Sequence, residues 1–111
     1  MKRYVFIIRG PISGISKNEI LASEQELEQI KNWLRGLKTS YEDMLFQKLG
    51  PNQMVINLNG EIENRILNQI DGGEISQIVT LILQNMEDAK SIAKSFPFPN
   101  TYYSLELREL I

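Results

Sequence analysis

The side chains able to do chemistry in this sequence are carboxylates, arginines, tyrosines and hydroxyls, because its 111 residues include neither His nor Cys. The commonest general base, metal ligand and proximal haem ligand is therefore missing, and thiolate catalysis, disulfides, zinc ribbons and iron–sulfur clusters go with it. A Ser nucleophile would lack its imidazole, and no Gly-x-Ser-x-Gly occurs. Paired acids remain. Glu61 and Glu63 are spaced to share one strand face, and Glu42-Asp43 and Glu87-Asp88 are adjacent; acid–base work would require burial to raise one carboxyl. Glu87 and Asp88 are accounted for by the start of a helix, whose dipole favours acids there, and Glu61 and Glu63 by the solvent side of a hairpin. Asp71-Gly72-Gly73-Glu74 lacks the several spaced carboxylates of a Ca²⁺ loop and reads as a turn. No metal site and no cofactor are expected, since first-row metals rarely bind tightly without imidazole or thiolate.

Gly10-Pro11-Ile12-Ser13-Gly14 lacks the spacing of a dinucleotide or phosphate fingerprint, and no helix follows it at once. The loop expected from Gly10 to Ser23 is nonetheless long for a small domain, and loops of that length often carry function. Arg9 at its root can hold a carboxylate bidentately. Arg9, Ser13 and Tyr103 are accordingly the candidate ligand-binding residues. The competing role for Arg9 is an ion pair with a last-strand acid, Glu106 or Glu109. Trp33, Phe46, Phe96, Phe98 and Tyr103 suit either an aromatic pocket or ordinary packing in a core or dimer.

These residues must be positioned by regular elements. Tyr4-Val5-Phe6-Ile7-Ile8, closed by Gly10-Pro11, reads as a strand buried on both faces. Ser23-Glu24-Gln25-Glu26 is a capping box, with Ser16-Lys17-Asn18-Glu19 as a rival further upstream. Beyond it Leu27, Ile30, Leu34 and Leu37 form an apolar stripe with Trp33 beside it, which predicts a helix over 24–38. Residues 41–49 read as a second strand. Residues 53–57 and 61–66 should pair across Leu58-Asn59-Gly60, because Asn-Gly supplies the positive φ that a tight turn requires. Residues 77–84 form an apolar strand. Asn85 then caps a helix with a stripe of Ala89, Ile92, Ala93 and Phe96, stopped by Pro97 and Pro99. Tyr103, Leu105 and Leu107 alternate in a last strand.

The order β-α-β-hairpin-β-α-β predicts one α+β domain over 1–111, a ferredoxin-like sandwich with two helices on one face of an antiparallel sheet. Two helices cover only one face, yet the first strand and Ile78 to Leu83 are apolar on both, Thr80 excepted. The uncovered face should therefore meet a second copy, giving a homodimer. Which parity, Tyr4/Phe6/Ile8 or Val5/Ile7, faces that partner is left open by the sequence. With 12 basic and 14 acidic residues and no dense basic cluster, nucleic acid is not an expected partner. Lys31, Arg35 and Lys38 read as a solvated helix face. No apolar run is long enough to span a bilayer, and the basic Met1-Lys2-Arg3 precedes too short an apolar stretch for a signal peptide, so no membrane partner and a cytoplasmic location are expected.

Several segments resemble the YCII-related, or DGPF-domain, family of dimeric α+β barrel proteins. They are the opening Lys2-Arg3-Tyr4-Val5-Phe6-Ile7-Ile8, Trp33-Leu34 with Gly36-Leu37, and Leu49-Gly50-Pro51. The second half adds Ile78-Val79-Thr80-Leu81-Ile82-Leu83, Asn85-Met86-Glu87-Asp88-Ala89 and Ala93-Lys94-Ser95-Phe96-Pro97. The family's Asp-Gly-Pro-Phe signature is absent, Asn64-Arg65-Ile66-Leu67 standing in its place, and the His–Asp pair of some relatives has no counterpart in a chain without His. The resemblance implies a dimeric α+β barrel with a cleft between subunits. Two functions are compatible with it: a binding or interaction module holding a small apolar or carboxylate-bearing molecule in that cleft, or a cofactor-independent isomerase, lyase or monooxygenase acting on such a molecule there. Fold resemblance by itself does not choose the reaction.

Overall fold

The opening apolar run forms β1 (Lys2–Arg9), and it sits at the centre of the sheet. The computed structural model describes residues 1–10, 17–50, 54–56, 58–63, 75–99 and 102–111. After β1 come α1 (Lys17–Ser40), β2 (Leu45–Lys48), the short strands β3 (Val55–Ile56) and β4 (Ile62–Glu63), β5 (Ile75–Leu83), α2 (Met86–Lys94) and β6 (Ser104–Leu110). The four longer strands make one antiparallel sheet in the order β2-β5-β1-β6. Two helices and a four-stranded antiparallel sheet make the chain α+β, consistent with a ferredoxin-like class.

The alternation of burial along β1 and β5 decides which face the helices cover. Tyr4, Phe6 and Ile8 are buried with Val79, Leu81 and Leu83, in one cluster with Ile30, Leu34 and Leu37 of α1 and Ala89 and Ile92 of α2. Val5, Ile7, Ile78 and Thr80 point the other way and are only half-buried, while Ile82 is exposed. The expectation that β1 is buried on both faces is thus corrected for the single chain. Its apolar run serves one covered face, with Tyr4, Phe6 and Ile8, and one open face, with Val5 and Ile7.

Three boundaries also differ from expectation. Helix α1 begins at Lys17, upstream of the expected start, and runs on to Ser40; Ser16 of the rival capping box lies outside the described residues. No Gly or Pro lies between Lys17 and Gly36, so nothing stops a helix nucleated by the Leu27–Leu37 stripe from propagating back to its first turn. The loop expected over 10–23 is correspondingly shorter; its residues 11–16, Ser13 among them, lie outside the described residues. Strand β2 starts only at Leu45, because the chain leaves α1 through a tight turn. In that turn Tyr41 N–H donates to Leu37 O at 2.8 Å, Met44 N–H donates to Tyr41 O at 3.1 Å, and Lys38 Nζ donates to the carbonyls of Glu42 and Met44. The hairpin forms with Val55 opposite Glu63, Ile56 opposite Ile62 and Gly60 at φ 81°; residues 53, 57 and 64–66 of the expected strands lie outside the described residues.

Helix α2 is capped as its sequence requires. Asp88 N–H donates to Asn85 Oδ1 at 3.0 Å, and Glu87 and Asp88 occupy the first turn. Trp33 and Phe96 join the two helix-side segments edge to face, their centroids 5.1 Å apart, with Phe6 and Phe98 continuing the cluster. Trp33 Nε1 donates to Ser95 Oγ at 2.8 Å, which satisfies the indole.

Candidate functional site

Arg9 ends the central strand β1 and Tyr103 immediately precedes the edge strand β6, but they serve opposite faces. Arg9 opposes Ser104, on the open face, whereas Tyr103 belongs to the buried cluster beneath the helices. Pairing with the last strand is what the structure gives Arg9. Its Nη2 lies 3.4 Å from Glu106 Oε1, and Arg108 Nε donates to the other oxygen of the same carboxylate. Held chiefly by the Arg108 hydrogen bond, with both guanidinium charges adding to it and desolvation opposing, Glu106 is lowered from the ordinary carboxylate value. An ionised carboxylate between two guanidiniums accepts hydrogen bonds. It is not a proton donor near neutrality.

Tyr103 has a different role. Its ring lies so close over Gly10 that a Cβ there would fall within 3.0 Å of three ring carbons, so the first strand ends in Gly to admit the aromatic. Burial, and secondarily the charge of Glu26, raises the Tyr103 hydroxyl from its ordinary value. Glu26 also accepts the Tyr102 N–H at 2.9 Å, tying α1 to the approach of β6. Close to this end of the sheet, Ser76 Oγ donates to Ile8 O at 3.0 Å, and Gln77 Oε1 is buried with no hydrogen-bond partner among the described residues. Gln77 escaped sequence reasoning, since a Gln at the start of an apolar strand carries no signal of burial. Of the aromatic group proposed for a pocket, Trp33, Phe96 and Tyr103 pack in or beside the core, whereas Phe46 and Phe98 are exposed, Phe98 resting against Phe96.

The other surface of note is the open sheet face. Cross-strand pairing places Leu45, Ile78, Thr80, Ile82, Val5 and Ile7 together on β2, β5 and β1, with Glu106 and Arg108 beyond them on β6. At one end of this face Arg3, Asp43, Leu45, Thr80, Ile82 and Leu110 line a groove of about 360 Å³. It lies at the start of β1, the opposite end from Arg9. Arg3 drew no attention in the sequence because it sits in a basic N-terminal triplet; only strand register turns it onto the apolar groove. Such an arrangement suits binding of an apolar surface with a charged rim. Among the described residues no three acids cluster as a metal site would require, and no helix is long and apolar enough to cross a membrane. Comparison with protein families, with curated proteins and with solved structures finds no significant match for this chain.

Proposed function

We propose that the chain is a homodimeric binding or interaction module, two copies meeting through their open sheet faces to form a dimeric α+β barrel of the YCII-related kind, with a small apolar or carboxylate-bearing molecule held in the cleft between them. One observation carries this reading: the face left bare by the helices holds Val5, Ile7, Ile78 and Ile82 side by side. Exposed apolar patches of this kind mark contact surfaces, and a two-fold pairing buries both copies of the patch at once. The charged residues of the face support it too, because Arg9, Glu106 and Arg108 are already paired with one another at its β6 side and need not be stripped of partners.

A catalytic reading finds no comparable support in Glu106, which is held ionised, or in Tyr103, which is packed in the core. Light scattering at micromolar concentration, paired with native mass spectrometry, tests the proposal. The expected result is twice the 12.8 kDa chain mass together with a retained small molecule. A concentration-independent monomer would overturn the dimer, and a ligand-free dimer with a closed interface would overturn the binding role while leaving the assembly.

A further inference from the structure

The groove at the start of β1 carries one charge of each sign, and the two do not meet. Arg3 lies on β1 opposite Ile82 of β5, and Asp43 stands in the turn that leads into β2. With neighbouring strands about 4.8 Å apart, β5 and its Ile82 hold the two charged residues roughly 10 Å from each other. Both are exposed, and among the described residues neither has an ion-pair partner. Arg9, Glu106 and Arg108, the remaining charges of the open face, are already matched with one another. An isologous contact must be complementary to itself, residue i meeting j while j meets i. Two unmatched charges of opposite sign, set apart by one strand of the same face, meet that condition for a second copy of the chain.

We infer that the two-fold axis of the open-face dimer runs parallel to the strands, between β5 and β1, so that Arg3 of each copy pairs with the partner's Asp43 and the two grooves close on each other. Strand register decides what each axis brings together. An axis parallel to the strands keeps every residue at its own level along the sheet and lays β5 over the partner's β1. Ile78 then meets the partner's Ile7, and Thr80 meets the partner's Val5, since these residues share levels within one sheet. Arg3 falls over the partner's Ile82, one strand spacing from the partner's Asp43. A long guanidinium side chain and a carboxylate can meet there across facing sheets about 10 Å apart. An axis across the strands, through the middle of β1, exchanges the two ends of that strand instead. It sets Arg3 against the partner's Arg9 and leaves both copies of Asp43 without a cation. Facing like charges oppose association, whereas two symmetry-related opposite pairs fix its register.

This inference rests on the open-face dimer, and its test separates the two. Arg3→Asp and Asp43→Arg are made in separate full-length chains and followed by light scattering and native mass spectrometry, which tells mixed dimers from like ones by mass. Each variant alone sets like charges against each other at both contacts, so each should raise the dimer dissociation constant roughly tenfold or more. Mixed in equal amounts, the two variants present opposite charges at both contacts, and a dimer holding one chain of each should return. A single chain carrying both substitutions should also dimerise as the wild type does. Recovery in that doubly substituted chain without recovery in the mixture would place the pairing inside one chain and overturn the inference. A dimeric wild type whose single variants dimerise unchanged, or whose mixture stays monomeric, would overturn the axis and leave the dimer. A monomeric wild type would overturn both.

Discussion

Gly10 and Tyr103 show how one side chain can dictate the residue beside it. Gly10→Ala forces a methyl against the aromatic ring and should cost about 1–3 kcal/mol, as overpacking of a tight site does. Tyr103→Ala, already destabilising by itself, should remove most of the further cost, so a double-mutant cycle read by chemical denaturation will be strongly non-additive. The same tyrosine predicts an alkaline limb. Its folded-state pKa is raised above 10.0 by burial, so its contribution is complete below that value and is lost as pH rises through the raised one. Tyr103→Phe should flatten the fall in melting temperature above pH 10. Glu106 predicts the mirror image at low pH. Its pKa lies below the ordinary carboxylate value of 4.5, so its contribution is present above that value and is lost as pH falls through the lowered one; Glu106→Gln should remove this part of the acid dependence.

At the scale of elements, α2 is the segment whose sequence and structure agree most closely. Its Asn cap, first-turn acids and apolar stripe act through local backbone geometry, which needs no distant partner to be read. Asn85→Ala should lower stability by about 1 kcal/mol and Asn85→Asp by little, since either Asx oxygen accepts the Asp88 N–H. Thermal melting checks this directly. Helix α1 is the contrary case. Two capping boxes compete in its sequence, and how far the helix continues upstream of the sheet-packed stripe, to Lys17, is something the local pattern does not record. The hairpin shows both sides of this. Asn59-Gly60 announces the turn, yet the spacing of Ile56 and Ile62 does not record that both are exposed in the single chain.

For the whole molecule, the division of the sheet into a covered and an open face separates two kinds of mutation. Leu81→Ala, inside the buried cluster, should cost roughly 2–5 kcal/mol through lost contacts and a cavity. Ile78→Glu lies three residues earlier on the open face, half-buried beside Ile7, where a single chain should lose only about 1 kcal/mol. In a dimer built on that face it buries an unpaired charge. Dissociation in light scattering, with secondary structure retained by circular dichroism, is the expected outcome. Unchanged mass in a dimeric protein would move the interface elsewhere.

What the sequence by itself determined was the chemistry excluded by the absence of His and Cys, the order of the elements, and the presence of more apolar strand surface than two helices can cover. Each of these follows from residue type or from short-range periodicity, which survive without knowledge of the fold. Only the tertiary structure decided that Tyr4, Phe6 and Ile8 face the helices, that Arg9 pairs with Glu106 on the opposite side of the sheet from Tyr103, and that Arg3 turns onto the groove. A run such as Tyr4-Val5-Phe6-Ile7-Ile8 is apolar at both parities and carries no phase of its own. The phase is set when β1 registers against β5 and β6, because antiparallel pairing joins residues more than sixty positions apart and only then assigns every side chain a face.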